Sequence, residues 1–183
     1  MIGSVCVFCG SRSGADPAYA EAACALGTGL AEARMRLVYG AGDVGLMGLV
    51  AKAAQDAGGD TFGVIPTHLL EREVGKRDLN RLVITETMHE RKKVMVMNVD
   101  AIVLLPGGAG SLDEFWEVLT WAQLGLHQKP IIIVNTNGYW SPLIALLDHL
   151  IAQDFADDSL KDLVTVTADV AGALAALSSA PTR

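Results

Sequence analysis

Short apolar runs alternate along the chain with longer stretches of helical period. Runs rich in β-formers fall at Val5–Cys9, Leu37–Tyr39, Thr61–Ile65, Leu82–Thr85, Ala101–Leu105, Ile131–Val134 and Leu163–Val166, and each predicts a strand. Between them helices are expected near Pro17–Ala33, Gly45–Ala57, His89–Asn98, Leu112–Leu124, Pro142–Gln153 and Ala168–Ser178. Pro17 behind Asp16 reads as the first helical residue after a cap. The runs IVLL and IIIV are apolar at every position, as central parallel strands covered on both faces must be. Such alternation predicts an open, doubly wound α/β sheet with helices on both faces. The charge-rich stretch from Leu69 to Leu82 breaks the rhythm and is expected as an exposed excursion beside the sheet. Residues 1–178 are then expected to form a single domain, with 179–183 a disordered tail.

Two glycine-rich turns punctuate this pattern. The first, G-A-G-D-V-G at Gly40, Gly42 and Gly45, has the spacing of a dinucleotide-binding turn. That reading needs an acidic residue at the carboxyl end of the following strand, and Asp60 stands before the strand TFGVI, at its wrong end. The turn also follows the second strand rather than the first, so an NAD site is set aside. In the second, AIVLLPGGAGSLDEFWEVLTW, a buried strand ends at Pro106. Gly107, Gly108 and Gly110 are expected to allow close backbone approach and positive φ. Ser111 is expected to open a helix whose unpaired N–H groups and dipole suit a phosphate. No G-x-x-x-x-G-K-[ST] loop occurs, so triphosphate hydrolysis has no support. Ser111 and Glu114 also have capping-box spacing, in which Glu114 would only bond back to the helix start. The segment ETMHERKKVM opens a helix after the fourth strand and is expected to bring Arg91 and Lys92 near the glycine turn, with Lys93 on a solvated face.

Bulk properties narrow the partners. Of 183 residues 51% are hydrophobic, yet no run reaches the roughly 18 apolar residues of a membrane span. The N-terminus lacks a basic region and a long apolar stretch, so a signal peptide is not expected and a cytoplasmic protein is. A net charge of −7 argues against nucleic acid and anionic membranes as partners, but leaves room for a small phosphate held by local amides. Cys6 and Cys9 are three apart on a strand and point to opposite faces, which disfavours a redox or zinc pair. His68, His89, His127 and His149 are scattered, so no metal and no cofactor are expected.

Taken together, M-H-E-R-K, P-G-G-A-G-S-L-D-E, V-F-C-G-S and Y-G-A-G-D-V-G-L-M-G resemble the LONELY GUY (LOG) family of cytokinin riboside 5′-monophosphate phosphoribohydrolases, a family once described as possible lysine decarboxylases. The resemblance runs from Val7 to about Leu150. It implies a Rossmann-like homodimer that hydrolyses the N-glycosidic bond of a purine riboside 5′-monophosphate to free base and ribose 5-phosphate. It further implies Arg91 and Glu114 as catalytic residues, and Glu73, Lys92, Gly107, Gly108, Gly110, Ser111, Asp113 and Thr120 as substrate contacts. Tyr39–Gly48 matches the family's other glycine-rich turn, expected as a wall of the pocket. Three positions depart from the family pattern: Ser111 replaces threonine, Ala109 stands where tyrosine is common, and Ala41 interrupts a usual triple glycine. The first keeps the hydroxyl, and the other two bear on pocket shape.

Breaking a ribosyl C–N bond builds positive charge on the sugar, which a carboxylate beneath it can stabilise while orienting water or attacking directly. Glu114 is the candidate for that work, and Arg91 for steadying either the leaving purine or the ribose–phosphate end. Two other readings share the fold: a non-catalytic nucleotide carrier or sensor, in which Glu114 only caps its helix, and an AMP nucleosidase-like activity. Decarboxylation through pyridoxal phosphate would need a Schiff-base lysine and a partner for the pyridine nitrogen, and Lys92 and Lys93 qualify by residue type alone.

Overall fold

The computed structural model describes residues 2–70, 76 and 78–180. Its strands are β1 (Ser4–Phe8), β2 (Arg36–Tyr39), β3 (Thr61–Pro66), β4 (Arg81–Thr85), β5 (Ala101–Leu104), β6 (Ile131–Val134) and β7 (Val164–Thr167). The helices are α1 (Pro17–Glu32), α2 (Gly45–Asp56), α3 (Thr67–Leu70), α4 (Met88–Met97), α5 (Ala109–Gln123), α6 (Ser141–Ala152) and α7 (Val170–Ser179). Every predicted strand and helix is present, and the short α3 was not foreseen. It occupies the start of the charge-rich excursion, most of whose remaining residues lie outside the described ones. Of the expected tail, Ser179 closes α7, and residues 181–183 lie outside the described residues.

The strands form one sheet in the order β4-β3-β2-β1-β5-β6-β7, and all pairings are parallel. Strand alternation sorts the core into two layers. Val5, Val7 and Cys9 pack with Leu26, Leu30, Val50 and Ala173 of α1, α2 and α7. Cys6 and Phe8 point the other way, onto Met95, Phe115, Val118 and Leu147 of α4, α5 and α6. Cys6 and Cys9 therefore lie on opposite faces, as three-residue spacing requires. No described helix is long and apolar enough to cross a membrane.

The winding places the site. From β1 the chain moves outward to β4, then α4 carries it back so that β5 pairs on the free side of β1. The loops after β1 and β5 consequently leave in opposite directions, which opens a crevice at the carboxyl edge of the sheet. Asp60, by contrast, sits at the amino edge just before β3, where it cannot serve a nucleotide in that crevice.

Helix starts are set by local chemistry. Asp16 accepts from the Ala18 N–H (2.9 Å) with Pro17 following, as the sequence suggests. In α4, Thr87 Oγ1 accepts from the Glu90 N–H (3.2 Å) while Glu90 accepts from the Thr87 N–H (3.2 Å). This capping box fixes where α4 begins, and hence the direction of Arg91 and Lys92, its fourth and fifth residues.

Candidate active site

A cleft of about 500 Å³ lies in the crevice, within the range of small-ligand sites. One end is built by Gly10–Gly14 after β1, by Pro106–Ser111 after β5, and by Tyr19 and Tyr139. Leu69 after β3 and Met88 at the start of α4 line the other, and Leu46 and Met47 of α2 stand against the Gly10 loop, whose carbonyl their N–H groups share. Cys9, Arg91 and Glu114 complete it. Main-chain polar groups thus gather over β1 and β5, and Leu69 and Met88 bring apolar side chains over β3 and β4.

The glycine turn differs in two respects from its expected form. Helix α5 begins at Ala109, not Ser111, with Gly108 as its cap residue in extended conformation (φ −100°) and no side-chain cap. None of Gly107, Gly108 and Gly110 has positive φ; their use is steric. A methyl on Gly107 would overlap the Ser111 hydroxyl and stand 3.0 Å from the Gly10 N, because the two crevice loops press together there. Gly10 N–H donates to the Pro106 carbonyl (3.0 Å) in the same contact. A methyl on Gly108 or Gly110 would meet nothing within 4 Å, and both residues are exposed. The first bond back into the helix is Leu112 N–H to the Gly108 carbonyl (3.1 Å), and the amides of Ala109, Gly110 and Ser111 precede it. Ser111 is buried against Gly107 and α5 is capped at Gly108, so the alternative capping box from Ser111 to Glu114 does not form. Glu114, one and a half turns into α5, lines the cleft.

Arg91 enters from the opposite wall. It is 4% exposed, with Nη2 donating to the Gly40 carbonyl (2.7 Å) and Nε to the Val64 carbonyl (3.1 Å). The carboxyl ends of β2 and β3 thereby hold a guanidinium in a fixed plane at the cleft. This explains the first glycine turn. A methyl on Gly40 would overlap Arg91 Nη2, and Gly45, at φ +59°, is the point where α2 starts against the backbone of Ser11 and Arg12. The Gly10 carbonyl accepts the α2 N–H groups of Leu46 (3.0 Å) and Met47 (3.3 Å), so that helix start is already satisfied. The turn makes room for an arginine and a loop; it does not cradle a pyrophosphate.

Cys9 lies on the cleft floor between the two charges. Burial pushes its thiol well above the ordinary range, the nearby Glu114 carboxylate adds to the rise, and Arg91 opposes it. Glu114 and Arg91 are thus both near enough to act on one buried group. Cys9 itself remains a neutral thiol.

Tyr139, which belongs to none of the sequence motifs, ties down the glycine loop after β5. Its hydroxyl donates to the Gly107 carbonyl (2.5 Å), while its ring packs edge-on against Tyr19 (5.1 Å between centroids) and Trp140 (4.7 Å). Holding that carbonyl fixes the Gly107–Gly108 peptide plane and with it the Gly108 N–H. Tyr139→Phe is expected to raise KM for a phosphorylated ligand about three- to tenfold, measured by steady-state kinetics. The only cue in sequence was the N-G-Y-W stretch after the sixth strand.

Lys92, next to Arg91 on α4, turns away from the cleft. It is 4% exposed and pairs with Asp113 (2.9 Å) and Glu117 (3.0 Å), pinning α4 to α5. Burial alone would depress its pKa, but bonds to Asp113 and Glu117 outweigh that and raise it. Asp113 is likewise committed to this pair, and Thr120, exposed two turns further along α5, does not line the cleft. Glu73 lies outside the described residues. Lys92→Met is expected to cost about 2 kcal/mol in urea unfolding, since Asp113 stays solvated when its partner goes. No group of three or more potential metal ligands occurs among the described residues.

Comparison with known proteins follows the same lines. Residues 47–177 match the family model described as "Possible lysine decarboxylase". The cytokinin riboside 5′-monophosphate phosphoribohydrolase LOG7 of Arabidopsis thaliana is 44% identical over 160 residues, covering 87% of this chain and 74% of that protein. The cytokinin riboside 5′-monophosphate phosphoribohydrolase of Rhodococcoides fascians is 42% identical over 177 residues, covering 96% of this chain and 89% of its own. The chain belongs to the LOG family. Its fold, Rossmann-like, also matches the molybdenum cofactor carrier protein of Chlamydomonas reinhardtii (TM-score 0.72, 23% identity, 97% of each chain), a likeness of architecture alone. Of the three departures from the LOG pattern, Ser111 keeps its hydroxyl buried beside Gly107, and Ala109 opens α5 on the cleft. Ala41 takes a positive φ (+56°) that a glycine would adopt without strain.

Proposed function

We propose that this LOG-family chain hydrolyses the N-glycosidic bond of a purine riboside 5′-monophosphate, with a cytokinin nucleotide as the substrate its relatives' names suggest. The observation that carries the reading is the placement, in one crevice, of the open amides of α5 and the Glu114 carboxylate of the same helix. A 5′-phosphate on the amides of Gly108, Ala109, Gly110 and Ser111 sets the ribose over Glu114. The purine then extends toward Met47, Leu69 and Met88, beside Arg91. On this reading Arg91 stands on the base side of the site.

The chemistry follows from those positions. As the C1′–N bond breaks, its electron pair leaves with the purine and positive charge builds on the sugar. Glu114 stabilises that charge and orients the water whose oxygen bonds to C1′; the proton that this water loses balances the one that the departing purine takes up. Arg91, its fork fixed by two backbone carbonyls, steadies the electron-rich departing base without moving to do so. Phosphate binding, remote from the bond that breaks, fixes the reacting carbon over Glu114. The chain's own donors supply each of these parts.

The test is incubation with isopentenyladenosine 5′-monophosphate and chromatography for free base. Release of base together with ribose 5-phosphate is the expected result; binding without consumption would leave a nucleotide carrier. The position of Glu114 in the cleft, on a helix capped at Gly108, supports the hydrolase over the carrier.

We further propose that the protein works as a homodimer in the cytoplasm. Met97, Leu124 and Leu126, at the C-terminal ends of α4 and α5, are 71%, 67% and 69% exposed. The two helices pack in one layer, and exposed apolar side chains at their ends suit burial against a second copy. Sedimentation at micromolar concentration tests this. Three cysteines without a disulfide fit a reducing compartment.

A further inference from the structure

The cations at the cleft are unequally employed. Lys92 is spent on Asp113 and Glu117, and Arg91 is anchored to backbone carbonyls on the base side. The polar end, where the amides of α5 stand open, borders a third cation, Arg12. Its side chain is exposed, and no hydrogen bond or ion pair to it occurs among the described residues. Its backbone, in contrast, is tightly placed. Gly45 at φ +59° lets α2 start against Ser11 and Arg12, the Gly10 carbonyl is held by two α2 amides, and the Gly10 N–H is held by Pro106. A fixed anchor carrying a free guanidinium beside open helix amides is suited to a dianionic group.

We propose that Arg12 is the charge partner of the substrate's 5′-phosphate, a substrate-binding role that the sequence motifs had placed on Lys92. The inference rests on the nucleotide reading above. The helix amides supply directed hydrogen bonds but only a partial charge, roughly half an elementary unit. A phosphomonoester near neutral pH carries about −1.5 to −2. A guanidinium on the facing loop closes that gap and can bond two phosphate oxygens at once. It also gives the first glycine turn a purpose in binding, through the loop that Gly45 supports.

The experiment compares the parent protein with Arg12→Gln and Arg12→Lys, using AMP and adenosine as probes in calorimetry and isopentenyladenosine monophosphate and its riboside as substrates. Arg12→Gln is expected to weaken AMP binding about tenfold or more, and to narrow the preference for monophosphate over riboside by the same factor, chiefly through KM. Arg12→Lys is expected to recover part of it, and AMP affinity of the parent is expected to fall more steeply with salt than that of Arg12→Gln. Equal losses on phosphorylated and unphosphorylated ligands, or unchanged AMP affinity, would overturn the assignment. If the parent releases no base, the hydrolase reading fails while AMP binding still judges Arg12. A parent that binds AMP no better than adenosine sinks the Arg12 proposal directly.

Discussion

Glu114→Gln is expected to bind a purine riboside 5′-monophosphate about as tightly as the parent, and to release base roughly 10²–10⁴-fold more slowly. The amide keeps the shape of the side chain and both polar positions, so the cleft and the start of α5 are undisturbed. What it removes is the negative charge beneath the sugar, which matters only as the cation develops. The loss therefore falls on kcat and leaves Kd, read by calorimetry, within about threefold. A structural carboxylate would behave otherwise. Were Glu114 a helix cap, glutamine would cost a few tenths of a kilocalorie in stability and leave turnover intact, but the cap of α5 is Gly108 with no side-chain partner. Undiminished base release by the variant would remove Glu114 from the mechanism.

The parts of this molecule that were legible in the chain are those governed by local period. Runs apolar at consecutive positions, such as Ile131–Val134, have to lie between two layers, and they do. The turns at Gly107 and Gly40 mark strand ends for the same reason: only a residue without Cβ fits where two loops or a loop and a guanidinium meet. Direction was harder to read. Arg91 and Lys92 are neighbours, and a helix turns about 100° between them, so one faces the crevice and the other faces α5. Which does which depends on where Thr87 and Glu90 start the helix, through a capping box spelled T-M-H-E. The start of α5 was misplaced because serine is the commoner cap, whereas here Ser111 is drawn inward against Gly107. Tyr139 and Arg12 carry no motif at all. They reach the cleft only because β6 and β1 end beside β5, a fact of strand order.

Gly40→Ala is expected to keep the fold and lose most of the activity, about a hundredfold in kcat. The added methyl would overlap Arg91 Nη2 and crowd Arg91 Cζ (2.9 Å) and Met47 Sδ (3.3 Å). Gly40 does not have a positive φ, so alanine introduces no backbone strain at that position. Both obstructing groups are ends of flexible side chains, and the stability cost stays near 1–2 kcal/mol, the low end for overpacking. The guanidinium cannot stay where it is. Displacing it breaks its bond to the Gly40 carbonyl and shifts a positive charge that was held in place beside the departing base. Since Gly40 does not itself line the cleft, and the α5 amides after β5 lie two strands away from β2, AMP binding should weaken by no more than a few fold. Thermal melting, calorimetry with AMP and base release measured on one preparation separate these effects. Turnover that survives while stability collapses would make Gly40 a packing residue and leave Arg91 without its assigned part; turnover lost in a well-folded, nucleotide-binding variant ties the first glycine turn to catalysis through the arginine it accommodates.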